Sequence, residues 1–257
     1  MLTPPEIARS LLAVGESKAR LPFGKMLLLA ILAGAYIALA GVGATAAAVT
    51  GESGSLAKLL SACVFPAGLS MVILAGSELF TGNCLMVMAL LERRITPAQL
   101  LRNWLTVYLG NAMGGAAVAA LAVYSHTASL FGDGLARSMV SIAESKAALG
   151  AGDAFLRGVL CNFLVCLAVW MAAASKRAEG KVIALFFPIL LFVLCGYEHC
   201  IANLYYLPAG AFAAAEYGME TTLTLAGCLK NLAAVTLGNL VGGAALGVGY
   251  RFAYLKE

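Results

Sequence analysis

Leu101-Arg102-Asn103-Trp104-Leu105-Thr106-Val107-Tyr108-Leu109-Gly110-Asn111-Ala112-Met113-Gly114-Gly115 returns 128 positions later as Leu229-Lys230-Asn231-Leu232-Ala233-Ala234-Val235-Thr236-Leu237-Gly238-Asn239-Leu240-Val241-Gly242-Gly243. A second set stands 120 positions apart: Gly76, Glu78 and Asn83 recur as Gly196, Glu198 and Asn203. The order within each set is kept, so a whole half is repeated rather than one short motif. If each half crosses a membrane an odd number of times, the second copy enters upside down. Inverted repeats of this kind place a permeation site near the midplane.

Composition puts the chain in a bilayer. Hydrophobic residues make up 61% and charged residues 12%, with mean hydropathy +0.90; soluble domains run at about 25% charged. Six apolar stretches, near 26–49, 59–91, 98–125, 154–175, 181–210 and 223–250, reach the roughly 17–25 residues that a span needs. Three precede a polar connection at 126–153 and three follow it, so each half is odd. The expected fold is an all-α membrane protein of six transmembrane helices in two inverted three-helix repeats. One domain over 1–257 then divides into a cytoplasmic N-terminal helix (1–22), a first repeat (23–125), an extracytoplasmic connection (126–153) and a second repeat (154–257). The first apolar stretch is no signal peptide, because it follows a segment of both charge signs and lacks a small-residue cleavage site.

Lys and Arg set the orientation. Arg9, Lys18, Arg20, Lys25, Arg93, Arg94, Arg102, Lys176, Arg177, Lys181, Arg251 and Lys256 fall on one side. Lys58, Arg137, Lys146, Arg157 and Lys230 fall on the other. The richer side is cytoplasmic, which puts both termini inside. No basic aromatic patch points to nucleic acid.

Residues 4–18 read as a short amphipathic helix, with Thr3 and Glu6 at capping-box spacing, Pro4 in the first turn, and Ile7, Leu11 and Val14 on one side. It is read as a membrane-surface anchor, with a movable cover over the pore as the alternative. The second and fifth stretches hold Gly76-Ser77-Glu78-Leu79-Phe80-Thr81-Gly82-Asn83 and Gly196-Tyr197-Glu198-His199-Cys200-Ile201-Ala202-Asn203. Glycine and polar residues at membrane depth interrupt a helix, so spans 2 and 5 are expected to be broken there, with Thr81 capping the second half of the first. Two half-helix N-termini would then aim positive dipole ends at the centre, which favours an anion.

Buried polar residues carry the chemistry. Glu78 and Glu198, with Asn83 and Asn203, occupy equivalent places and are read as hydrogen-bonding the loose backbone of the breaks. Asn111 and Asn239 sit beside Gly-Gly pairs and are read as interhelical glue. His199 has Leu79 as its repeat equivalent, so no symmetric scaffold role accounts for it; it is assigned to permeation, with Thr81 of the opposing break as partner. The seven cysteines, Cys63, Cys84, Cys161, Cys166, Cys195, Cys200 and Cys228, read as small core residues. Cys195, His199 and Cys200 match no zinc spacing, so neither metal nor cofactor is expected.

These residues resemble the formate/nitrite transporter family over essentially the whole chain. The similarity is carried by Leu79-Phe80-Thr81, by Cys161-Asn162-Phe163-Leu164-Val165-Cys166-Leu167-Ala168-Val169-Trp170-Met171, by Gly196 through Asn203, and by Asn231 through Gly238-Asn239. The resemblance implies an aquaporin-like protomer with its own pore, a homopentamer, and passage of formate, nitrite or hydrosulfide across a bacterial inner membrane. It places the central histidine on His199, its threonine partner on Thr81 and the vestibule lysine on Lys146. Polar lining falls on Asn162, near that lysine, and on Asn231. Hydrophobic constrictions fall on Leu69, Leu79, Phe80 and Phe192, with Phe65 beside them. Two other classes stand against this: a membrane-embedded enzyme using His199, Glu198 and Cys200, which lacks a nucleophile–base–orienter set, and a neutral-solute channel, which the central polar set with Lys146 disfavours.

Overall fold

The structure, a computed structural model, describes residues 1–49 and 54–255; Lys256 of the cationic side lies outside them. Among the described residues all regular structure is helical: α1 (Pro4–Ala19), α2 (Phe23–Ala48), α3 (Gly54–Val64), α4 (Pro66–Ala75), α5 (Phe80–Asn83), α6 (Val87–Leu91), α7 (Pro97–Tyr124), α8 (Gly134–Ala148), α9 (Ala151–Ala173), α10 (Ala178–Leu194), α11 (Cys200–Glu216) and α12 (Leu225–Tyr254), with two short 3₁₀ turns. Among the described residues five stretches are long and apolar enough to cross a membrane: Phe23–Ala48, Gly54–Ala75, Pro97–Tyr124, Ala151–Ala173 and Leu225–Tyr254. The stretch expected at 181–210 is no single helix, because the chain leaves α10 after Leu194 and re-enters a helix at Cys200.

Glycine decides how closely the long helices approach. A Cβ on Gly114 of α7 would overlap the Ile31 carbonyl of α2, and one on Gly242 of α12 would overlap the Val159 carbonyl of α9. These two contacts are related by the 128-residue repeat. The α2–α7 and α9–α12 pairs are thus two copies of one seam, in which backbones pack without intervening side chains. Where the copies meet, Tyr108 and Thr236, themselves repeat equivalents, share a hydrogen bond of 3.0 Å between their hydroxyls.

Helix entry and exit follow local chemistry. Thr96 and Gln99 close a reciprocal capping box at the start of α7, the Thr96 N–H donating to Gln99 Oε1 at 2.8 Å and the Gln99 N–H to Thr96 Oγ1 at 3.2 Å. Pro97 follows at the first helical position. α4 ends on Gly76 at φ 79°, and α10 gives way to Gly196 at φ 68°; no atom lies within 4 Å of a Cβ at either position. The requirement for glycine there is conformational, not spatial.

Three expectations are corrected. The stretch 126–153, read as a polar connection, contains the 15-residue helix α8; its Lys146 lies 128 residues after Lys18 of α1, so α1 and α8 are equivalent members of the two halves. Second, α1 buries Ile7, Ala8, Leu12, Gly15 and Ala19, not the row Ile7, Leu11 and Val14. Its buried face packs on Met86, Met88, Ala89 and Trp170, with Leu11 half-buried at the edge; Leu11 and Val14 also line a cavity. α1 is therefore held against the protein itself. Third, Cys63 and Cys195 are exposed on the protomer, while Cys84, Cys161, Cys166 and Cys200 are buried.

Candidate permeation site

Two cavities with no lining residue in common reach the centre: Leu79 and Gly82, on either side of Phe80-Thr81, line one, and His199 lines the other. One, of 580 Å³, lies beneath α1 and is called here the terminal mouth. The other, of 380 Å³, lies beneath α8 and is called the far mouth. Leu69 and Leu79 line the terminal mouth, and Phe65, Phe192 and His199 line the far one. Phe65 and Phe192 meet edge to face, with ring centroids 5.6 Å apart, and the Phe192 ring lies nearly parallel to His199. Phe80 lines neither cavity; its ring packs edge-on against Trp104 and Tyr108.

Between the cavities the two helix breaks face each other. Thr81 Oγ1 and His199 Nε2 stand 3.0 Å apart, and both residues are buried. His199 is also the N-cap of α11: its Nδ1 accepts the Ala202 N–H at 3.1 Å. A nitrogen that accepts from a backbone amide carries no proton. The neutral imidazole therefore holds its proton on Nε2 and donates it to the Thr81 hydroxyl oxygen. Thr81 itself is no cap: Leu79 is the N-cap residue of α5, without a side-chain cap bond.

The backbone of each break is held by an asparagine. Asn111 Oδ1 accepts the Phe80 N–H at 3.0 Å, and its Nδ2 donates to Ala30 O at 2.7 Å and Glu78 O at 2.9 Å. Asn239 repeats this with Cys200 N–H (2.9 Å), Gly158 O (2.8 Å) and Glu198 O (2.9 Å). These residues join a neighbouring helix to the break, so they do the work assigned to the glutamates. The glutamates instead take cations. Glu78 Oε1 accepts from Lys18 Nζ at 2.7 Å and Glu198 Oε1 from Lys146 Nζ at 2.9 Å. Asn83 links Glu78 to Asn103 (2.8 and 2.9 Å), and Asn203 links Glu198 to Asn231 (2.7 Å each). A carboxylate at membrane depth costs at least about 2.5 kcal/mol, and a lysine partner with asparagine donors offsets that cost better than loose backbone amides would.

Lys146 lines the far mouth, with Asn231 behind it donating to its carbonyl at 2.8 Å. Asn162 is not beside Lys146. Its Nδ2 donates to Thr81 O at 3.3 Å and Asn239 O at 2.7 Å, which puts it behind the central threonine and out of both cavities. Sequence reasoning missed Lys18 and Asn103. Both were discoverable, because Lys18 and Lys146 share the spacing of 128 that joins Asn103 to Asn231.

Residues 5–253 match the family model described as "Formate/nitrite transporter". The chain is 38% identical to the probable formate transporter of Methanothermobacter thermautotrophicus, covering 99% of this chain and 98% of that one. A solved channel titled "FNT family ion channel" superposes with a TM-score of 0.87 at 32% identity, covering 96% of this chain and 98% of that chain. A solved "Pentameric formate channel with formate bound" gives 0.80 at 33% identity, covering 91% and 98%.

Proposed function

The chain belongs to the formate/nitrite transporter family, and from that premise we propose that it lets small monovalent weak-acid anions, formate or nitrite, cross a bacterial cytoplasmic membrane. Five copies form a ring, and each protomer carries its own pore with both termini cytoplasmic. Six crossings make the protomer, the second and fifth each built from two half-helices. The terminal mouth is then cytoplasmic and the far mouth outer. The observation that carries this is the Thr81–His199 hydrogen bond, set between two cavities that each hold a lysine.

The mechanism follows from charge and hydration. Lys18 and Lys146, with the N-termini of α5 and α11, draw an anion into either vestibule. The Leu69–Leu79 and Phe65–Phe192 slits strip its water, which is prohibitive for a bare charge unless something compensates. At the centre the anion takes the place of the Thr81 oxygen as acceptor of the His199 Nε2–H, while the Thr81 hydroxyl proton turns to it. Outright loss of the Nε2 proton would leave an imidazolate unless Nδ1 were protonated first, and that breaks the bond to Ala202. Sharing the proton keeps the helix start intact and brings a weak acid close to its neutral form, which passes an apolar slit more easily.

Proteoliposomes challenged in turn with formate, nitrite and hydrosulfide test the proposal by current and by internal pH. Formate and nitrite are expected to give a current or, where passage is electroneutral, a pH change. Neither signal for any of the three, or turnover of a small substrate in detergent without vesicles, would overturn it.

A further inference from the structure

The two mouths reach the same charge balance with different residues. Lys18, Lys25, Lys181 and Glu78 line the terminal mouth; Lys58, Lys146, Arg157 and Glu198 line the far one. Only Lys18 and Lys146 correspond through the repeat. At spacing 128, Lys25 answers to Asp153 and Arg157 to Leu29; at spacing 120, Lys181 answers to Ser61 and Lys58 to Ala178. The Leu29–Arg157 correspondence is also visible in the backbone, since Leu29 O accepts the Glu78 N–H at 3.2 Å and Arg157 O the Glu198 N–H at 3.3 Å. Duplication of a half therefore does not account for these four cations. They were placed independently, and each mouth ends with three cations around one carboxylate.

Their charge is also uncommitted. Lys18 and Lys146 are paired with the glutamates, whereas Lys25, Lys58, Arg157 and Lys181 make no ion pair among the described residues. Membrane topology does not explain the far pair, because that face is the one poor in Lys and Arg, and three of its five cations converge on one cavity. Given the anion-conducting function proposed above, we infer that Lys58 with Arg157, and Lys25 with Lys181, are side-specific capture residues for the monovalent anion. Each pair sets the apparent affinity for anion arriving from its own face. Maximal flux is set elsewhere, at the slits and the central hydrogen bond.

Formate flux measured from each face, in right-side-out and inverted vesicles, tests this. Arg157→Leu and Lys58→Ala give the far mouth the residues found at the repeat-equivalent places; Lys181→Ser does the same at the terminal mouth. At low salt each far-mouth change is expected to raise the half-saturating formate concentration from the far face by roughly two- to threefold, as for one unit charge about 8 Å away in water. Half-saturation from the terminal face and maximal flux stay at wild-type values, and added salt erases the difference. Lys181→Ser shows the reverse sidedness, and Arg157→Lys keeps wild-type behaviour. A wild type that conducts formate while these variants match it from both faces, or lose affinity equally from both, would overturn the capture role alone. A wild type that carries no anion would overturn the permeation reading, and the capture role with it.

Discussion

Neutral imidazole carries one ring proton, and at position 199 the backbone decides which nitrogen holds it. The Ala202 N–H occupies Nδ1 at 3.1 Å, which commits Nε2–H to Thr81. One side chain thus starts a helix and, in the function proposed above, meets the permeant. Most replacements at 199 will disturb both duties at once. Asparagine is the informative exception, since its side-chain oxygen caps helices well while the residue has no titratable site. His199→Asn is expected to assemble with wild-type yield and to lose the wild-type dependence of formate flux on pH between mildly acidic and neutral conditions. Identical pH profiles in proteoliposomes would remove the imidazole proton from the mechanism. Thr81→Val leaves the Nε2–H a buried donor without its acceptor, at a cost of about 1–3 kcal/mol, and should lower flux at every pH.

At the scale of elements, the long helices owe their places to backbone contact. The Gly114–Ile31 and Gly242–Val159 approaches leave no room for a methyl group, so a side chain there must push whole helices apart. Gly242→Ala is expected to abolish assembly, or to lower the melting temperature of the purified protein by many degrees, because overpacking a rigid seam costs about 1–3 kcal/mol or more. Gly249 lies on the same helix with nothing within 4 Å of a Cβ, and Gly249→Ala should be neutral or mildly stabilising, since alanine is the better helix former. Equal melting temperatures for the two variants would contradict the seam. The repeated Gly-Gly pairs made this seam legible from sequence. The division of labour inside the breaks was not, because Glu78 and Asn111 are both buried polar residues near loose backbone. Only geometry separates the one that bonds amides from the one that neutralises a lysine. Lys18 was passed over for another reason: it ends the segment read as a membrane-surface helix, its charge was counted only toward orientation, and its glutamate is 60 positions away.

For the molecule as a whole, repeat and composition pointed to two halves of opposite direction, and the paired hydrogen-bond sets show that the two halves are built alike. Lys18–Glu78–Asn83–Asn103 and Lys146–Glu198–Asn203–Asn231 are the same chain of contacts, one beside each cavity. What does not obey the two-fold is the centre, where Thr81 and His199 answer to Ile201 and Leu79. A symmetric scaffold thus surrounds an asymmetric hydrogen bond, which is why repeat logic singled out His199. The matched chains also bear on what the bilayer itself must specify. Under the function proposed above, a permeant entering from either face meets lysine, carboxylate, amides and an apolar slit in the same order, so the pore has little stake in which way up the protein was inserted. Moving Lys and Arg between the connecting segments to reverse its insertion should yield a conductor of unchanged maximal flux, with the two half-saturating concentrations exchanged between the faces of the membrane.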